Sequence, residues 1–122
     1  MSRVENITRA LKALNTNTPD IEAAAVVDND GLVIASAMPA DIDDDSVAAM
    51  SAALLGLSER ITGELDRGEF ELVMLRGAEG YSVLVRCGPD AVLTVLAAKS
   101  AKLGLIFLDV MRSSKEIARL LG

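Results

Sequence analysis

Residues 23–38, AAAVVDNDGLVIASAM, decide the fold of this chain because they hold two apolar runs separated by a turn signal. That signal consists of Asn29, Asp30 and Gly31: Asn and Asp tolerate left-handed backbone, and Gly adopts it without steric cost. The pattern predicts a β-hairpin with strands near residues 21–27 and 32–37. Both runs are apolar at nearly every position, so we expect a sheet that is covered on both faces.

Helical spacing of apolar residues predicts one helix before the hairpin and another at the end of the chain. Ser2 and Glu5 match a capping box, in which side chains satisfy free backbone N–H groups at a helix start. Apolar residues then recur three or four positions apart, and the same spacing returns over residues 104–121. The residues expected to face the core are Val4, Ile7, Leu11 and Leu14 in the first helix and Phe107, Val110, Ile117 and Leu121 in the last.

A middle helix is predicted over residues 47–65, and it carries two stripes. The acidic segment DIDDDS at 41–46 precedes it and places negative charge at the partly positive helix N-terminus. One stripe is bulky and is expected to pack on the sheet, whereas the other is small and would let a second backbone approach closely. The bulky stripe consists of Val47, Met50, Leu54, Leu57, Ile61 and Leu65, and the small stripe of Ala49, Ala53 and Gly56.

Three more strands follow the middle helix, near residues 70–76, 81–87 and 91–98. The segments RGAEG at 76–80 and GPD at 88–90 supply turns that are short enough to make neighbouring strands antiparallel. The element order is therefore α-β-β-α-β-β-β-α, which is an α+β fold.

Composition excludes several classes of protein. The 122 residues are 51% hydrophobic but only 2% aromatic, so the core must be aliphatic. A net charge of −6 argues against a nucleic-acid partner, which needs clustered Lys and Arg. No apolar run reaches the length of a membrane span, and MSRVENITRA lacks the apolar core of a signal peptide. With Cys87 as the only cysteine, we expect a cytoplasmic protein without membrane insertion.

The chain offers no residue set for a usual catalytic site. Histidine is absent, which removes Ser-His-Asp and Cys-His arrangements and the usual zinc ligand sets. Neither a Gly-Lys-Ser/Thr phosphate loop nor Gly-x-Gly-x-x-Gly occurs. Cys87 lies in an apolar run, where a core thiol is favoured over a nucleophile. We expect no enzyme, no catalytic residue, no cofactor and no metal.

Two groups of carboxylates have structural explanations. Asp41, Asp43 and Asp45 alternate like the first ligands of a calcium loop, but the sixth position lacks Gly and Ala52 stands where a bidentate Glu belongs. A helix start explains these residues better. Asp28 and Asp30 match an acid and base pair, although hydrogen bonds that hold the turn are favoured.

The chain resembles the Roadblock dynein light-chain family. The resemblance rests on VVDNDGLVIA at 26–35, the acidic turn, the Ala-rich middle helix, EGYSVLV at 79–85 and the turn at Gly88. The MglB-like branch of bacteria and archaea is most similar. The resemblance implies a single Roadblock-type domain over residues 1–122, with a Roadblock/profilin-like five-stranded antiparallel sheet. It places the middle helix on one face of the sheet and the terminal helices on the other.

The resemblance further implies a homodimer, in which the strand at 70–76 pairs with its copy and the middle helices lie side by side. Such pairing would cover an apolar edge strand that is an aggregation hazard in a monomer. The implied dimer interface consists of Ala49, Ala53, Gly56, Phe70, Leu72 and Met74.

Family members regulate or scaffold small Ras-like GTPases, and MglB-type dimers stimulate GTP hydrolysis through their paired middle helices. The implied partner surface consists of Asp43, Asp44, Asp45, Ser51, Leu55, Ser58, Glu59 and Thr62. Leu55 stands out as a large apolar residue off the bulky stripe. Arg60 matches an arginine finger, but an ion pair with Glu64 is the simpler interpretation. The alternatives are a ligand-sensing module and a purely structural dimerisation module.

Overall fold

A computed structural model describes residues 2–122, and its elements follow the predicted order. The elements are α1 (Arg3–Asn17), β1 (Ile21–Asp28), β2 (Val33–Ala37), α2 (Asp44–Glu64), β3 (Leu72–Gly77), β4 (Gly80–Arg86), β5 (Ala91–Ala98) and α3 (Leu103–Leu121). No helix in residues 2–122 is long and apolar enough to cross a membrane.

The five strands form one sheet in the order β2-β1-β5-β4-β3, and every neighbouring pair is antiparallel. β1 therefore lies inside the sheet, between β2 and β5, which explains why its apolar run is buried almost throughout. β2 and β3 are the two edges. The predicted five-stranded antiparallel sheet is confirmed.

The hairpin turn between β1 and β2 forms as the sequence predicts. Oδ1 of Asp28 accepts hydrogen bonds from the backbone N–H of Asp30 at 2.9 Å and of Leu32 at 3.0 Å. Gly31 has φ 87°, a left-handed conformation that side chains with a Cβ seldom adopt. The Asp28 carboxylate thus holds the turn.

The terminal helices cover one face of the sheet and α2 crosses the other. On the first face, Ile7, Leu11 and Leu14 of α1 and Ile106, Val110 and Ile117 of α3 are buried against the sheet. Two predicted core residues are exposed instead, Val4 at 49% and Phe107 at 44%. In α3 the buried line runs through Ile106, one residue before Phe107, and this one-residue difference turns the Phe107 ring to the flank of the helix.

The orientation of α2 differs from the prediction. Its buried residues are Ala48, Ser51, Leu55 and Ser58, whereas the predicted core residues Met50, Leu57, Ile61 and Leu65 are 49–64% exposed. Most of the bulky stripe therefore does not pack on the sheet; Leu54, partly buried against the core cluster of α2, is the exception, and Val47 is half-buried. Small side chains at this contact let the helix axis approach the sheet closely, and the hydroxyls of Ser51 and Thr94 satisfy each other at 2.8 Å.

Leu55 is the large side chain that fills the contact between α2 and the sheet. It is 2% exposed and belongs to a cluster with Val27, Phe70, Leu84 and Val92. Its predicted place on an exposed flank is wrong, because the helix is rotated so that Leu55 points at the strands.

The connection from α2 to β3 also differs in its bounds. The helix ends at Glu64, with Asp66 at φ 55° and Gly68 at φ 91° carrying the chain around the turn. β3 begins at Leu72, two residues later than predicted. Phe70, predicted in the edge strand and the dimer interface, is 5% exposed and packs under α2, so its place in an exposed interface is wrong.

Two leucine substitutions, one in α2 and one in α3, test the orientation of α2. We expect Leu55→Ala to lower the free energy of unfolding by about 3 kcal/mol, because it leaves a cavity in a packed contact. The matched control Leu105→Ala removes the same atoms from a side chain of α3 that is 55% exposed, and its effect is expected to be much smaller. Urea unfolding at one fixed protein concentration measures both variants. Equal losses would contradict the observed rotation of α2.

Candidate interaction surfaces

The edge strand β3 is apolar on both faces and pairs, in the part of the chain that the structure describes, with β4 alone. Leu72 and Met74 lie half-buried at the margin of the core under α1 and α3. Val73 lies at the margin of the α2 cluster, and Leu75 is 50% exposed. A free edge with apolar side chains on both faces is the feature that isolated sheets avoid. β3 is therefore a candidate surface for strand pairing.

A groove of about 260 Å³ runs between α2 and the sheet, next to β3. Its α2 wall includes Met50 and Leu54 of the bulky stripe, and its strand wall includes Leu75, Leu84 and Leu96. The bulky stripe thus borders an open apolar groove rather than a closed core. The stripe and the groove form one exposed apolar surface, which we call the α2–β3 surface.

The small stripe of α2 lies on the side away from the sheet. Ala49, Ala53 and Gly56 are all exposed, and a Cβ at Gly56 would meet nothing within 4 Å. Arg60 and Glu64 continue this side of the helix with the predicted ion pair, at 3.4 Å and largely exposed. We call this the outer face of α2.

Three residues predicted for the partner surface are not available to a partner. Ser51, Leu55 and Ser58 are 5%, 2% and 7% exposed, since they form the line with which α2 packs on the sheet. Their prediction as contact residues is wrong. The others remain accessible at the two ends of α2: Asp43, Asp44 and Asp45 at its start, and Glu59 and Thr62 near its end.

The acidic residues before α2 act as a helix cap. Asp43 is the N-cap: its side chain accepts hydrogen bonds from the backbone N–H of Asp45 at 3.0 Å and from the hydroxyl of Ser46 at 2.9 Å. The Ser46 hydroxyl, followed by backbone N–H groups, lowers the pKa of Asp43 below its usual value. Within residues 2–122 no three His, Cys, Asp or Glu side chains are placed to hold a metal ion.

Cys87, directly after β4, is a buried thiol, as predicted. Burial raises its pKa to about 12, with a smaller opposing effect from the neighbouring Arg86 charge. The thiolate, which is the nucleophilic form, is therefore suppressed at neutral pH.

Arg86 is a structural residue that the sequence prediction missed. Its Nη2 lies 3.0 Å from Oε2 of Glu59 on α2. Its Nη1 lies 3.4 Å from Oδ1 of Asn29 in the hairpin turn and 3.3 and 3.2 Å from the carbonyl oxygens of Gly88 and Pro89. One guanidinium thus joins α2 to two turns of the sheet. An Arg at the end of an apolar strand was the only signal in the sequence.

The comparisons with known proteins identify the family. The Roadblock/LC7 domain model matches residues 8–97, and the chain belongs to the Roadblock/LC7 family. The protein MJ1340 of Methanocaldococcus jannaschii is 38% identical over 111 residues, which cover 91% of this chain and 96% of that protein. The predicted membership is confirmed.

The fold is similar to solved MglB structures. Myxococcus xanthus MglB matches with a TM-score of 0.91 at 22% identity, over 99% of this chain and 91% of that chain. A structure described as MglB with tetrameric arrangement matches with a TM-score of 0.90 at 20% identity, over 98% of this chain and 90% of that chain. At these identities the likeness shows the fold.

Two arginine substitutions test the role of Arg86. We expect Arg86→Ala to lower the free energy of unfolding by about 2 kcal/mol, because one truncation removes several hydrogen bonds to a charged donor. The matched control Arg60→Ala breaks the exposed ion pair with Glu64 within α2. The free energy of unfolding of this variant should stay nearly unchanged. Urea unfolding of both variants measures the difference. If Arg86→Ala proves as stable as the parent protein, the guanidinium does not hold α2 on the sheet.

Proposed function

We propose that two copies of this chain pair through β3 and α2, and that the dimer binds a small Ras-like GTPase on its paired α2 helices. The observation that carries the proposal is the α2–β3 surface, a bulky apolar helix stripe beside a groove and a free apolar strand edge. Solvent exposure of that much contiguous apolar surface is unfavourable in an isolated chain.

Antiparallel pairing of two β3 strands around a two-fold axis would bury the α2–β3 surface of each chain. It joins the two five-stranded sheets edge to edge and satisfies the free backbone groups of both edges. The same axis turns the bulky stripe of each α2 toward the other chain. Met50, Leu57 and Ile61 are then the helix contact, in place of Ala49, Ala53 and Gly56, while Leu72 and Met74 stay at the strand contact.

The outer faces of the two helices then form the surface for the GTPase. The small residues of this surface are Ala49, Ala53 and Gly56, and they permit close approach of a partner backbone. The carboxylates at the start of α2 add negative charge, which favours a partner with a basic patch and speeds its association. Glu59 is shared between this surface and Arg86, and Thr62 lies one turn further along. Family membership supports a GTPase as the partner.

A second candidate function is a ligand-binding module, and the groove of about 260 Å³ between α2 and the sheet favours it. The lining is apolar apart from the hydroxyls of Ser51, Ser82 and Thr94. Two of these hydroxyls are already bonded to each other, which leaves few polar groups to orient a ligand. Native mass spectrometry of the purified protein distinguishes the candidates, since a resident ligand adds its mass to that of the chain.

Charge substitutions test the dimer. Leu75→Asp and Leu57→Asp each place a carboxylate in the proposed interface, and light scattering should report the mass of one chain instead of two. Ala53→Trp adds volume on the outer face of α2 and should leave the dimer mass unchanged. A dimer that survives Leu75→Asp, or one that dissociates with Ala53→Trp, would place the interface elsewhere.

The GTPase proposal is tested with a purified small Ras-like GTPase of the same organism. The dimer should co-elute with the GTP-bound form and change its rate of GTP hydrolysis. Ala53→Trp should abolish both effects because it obstructs the outer face of α2. The matched control Ala13→Trp, at an exposed site of α1, should keep them.

The role of Arg60 is read from the same assay. Loss of an arginine finger costs about 10³-fold or more in GTP hydrolysis. We expect Arg60→Ala to retain most of the stimulation, since Arg60 already pairs with Glu64 at 3.4 Å. If the wild-type dimer neither changes the rate of GTP hydrolysis nor co-elutes with the GTPase, the GTPase function is refuted, whereas the proposed dimer is unaffected by that result.

A further inference from the structure

α3 carries an apolar strip on the side that faces away from α1. Asp109 marks the α1 side, because its Oδ2 accepts a hydrogen bond from the hydroxyl of Thr18 at 2.7 Å. Successive helix residues are about 100° apart, so Leu103, Phe107 and Met111, at spacings of four, lie on the opposite side. Leu103 is 39% and Phe107 is 44% exposed. This line of three residues is called the α3 strip.

The sheet next to the α3 strip is only partly covered. α1 packs on β1 and β2, and α3 packs on β5 and β4. In the part of the chain from residue 2 onward, no helix packs on β3 in this way. Leu72 and Met74 of β3 and Tyr81 of β4 consequently remain only partly buried at the margin of the core. The strip and these side chains form a wall and a floor, both apolar.

Pairing of two β3 strands would turn this margin into a symmetric groove, and this step rests on the proposed dimer. The two-fold axis of the dimer (the dyad) would lie between the two β3 strands, so β4 and β5 are the second and third strand positions on each side. Strands are about 4.8 Å apart, and α3 lies over β4 and β5, so its axis would be about 10 Å from the dyad. The two α3 axes are then about 19 Å apart. Helices pack at axial distances of about 8–10 Å, so one further helix fits between them.

The rim of this groove is basic. Lys115 and Arg119 are exposed along α3 beyond the α3 strip, and within residues 2–122 neither of them forms an ion pair. The acidic residues of α3, Asp109 and Glu116, lie on the α1 side instead. The rim therefore complements negative charge, although the chain as a whole has a net charge of −6.

We propose that the groove between the two α3 helices of the dimer binds one amphipathic helix of a partner protein, with an apolar stripe on the α3 strips and acidic residues along its edges. A second copy of the same face is disfavoured because it would bring basic rims together. A flat bilayer cannot reach the floor of a concave groove. Since the groove lies on the two-fold axis, the stoichiometry is one helix for two chains.

A synthetic peptide tests this proposal. The probe is a fluorescein-labelled amphipathic helix of about 20 residues, with Leu on one stripe and Glu and Ala elsewhere. Fluorescence anisotropy should show saturable binding at one peptide for two chains, weakened by added salt. A peptide with Lys in place of Glu should not bind. Phe107→Ser should weaken binding of the acidic peptide at least about tenfold.

The controls separate this site from the proposed GTPase function. Leu105→Ser removes an apolar residue that is 55% exposed but lies on another side of α3, so binding should be unchanged. Phe107→Ser should keep the dimer mass and the effect on GTP hydrolysis. Light scattering of the wild-type protein tests the dimer independently of any peptide.

Several results would overturn the α3 groove. Absence of saturable peptide binding to a confirmed dimer would do so, as would equal binding by monomeric Leu75→Asp or by Phe107→Ser. Sedimentation with vesicles of anionic lipid, abolished by Phe107→Ser, would assign the α3 strip to a membrane surface instead.

Discussion

The close contact between α2 and the sheet is the constraint on which the rest of the molecule depends. Leu55 fills the centre of this contact, and the hydroxyls of Ser51 and Thr94 satisfy each other at 2.8 Å beside it. Because the helix buries small residues around one leucine, it lies near the strands and leaves its bulky stripe on the flank. A contact with Met50, Leu57 and Ile61 under the helix would have buried the bulky stripe and removed it from the α2–β3 surface.

Coverage of the sheet is uneven as a result. The terminal helices lie over β1, β2, β4 and β5, and α2 crosses the other face, so β3 is left at the margin on both faces. Arg86 fixes the far end of α2 through Glu59 and binds the two neighbouring turns. The framework is therefore held firmly on one side while its apolar edge stays open. This asymmetry separates the parts of the protein that maintain the fold from those offered to partners.

The proposed partners use different surfaces. The α2–β3 surface is proposed for a second copy, the outer face of α2 for a GTPase, and the basic groove beside α3 for an acidic helix. None of these uses needs a catalytic side chain. Asp28 and Asp43 belong to the two carboxylate groups whose sequence pattern matched an acid and base pair or a calcium loop. In the structure Asp28 holds a turn and Asp43 holds a helix start. Their hydrogen bonds account for their presence in the sequence.

Local signals in the sequence determined the element order, the hairpin turn, the capping of α2 by Asp43 and the bounds of β5. These features depend on backbone preferences and on hydrogen bonds between near neighbours in the chain. The sequence did not determine which side of α2 meets the sheet, because the line of Ala48, Ser51, Leu55 and Ser58 has the same helical spacing as the two stripes, and periodicity does not distinguish a core from an interface. That choice depends on contacts with residues that are distant in sequence, such as Thr94 with Ser51 and Leu84 with Leu55. The link from Arg86 to Asn29 and Glu59 has the same origin, since only the folded chain brings these residues together.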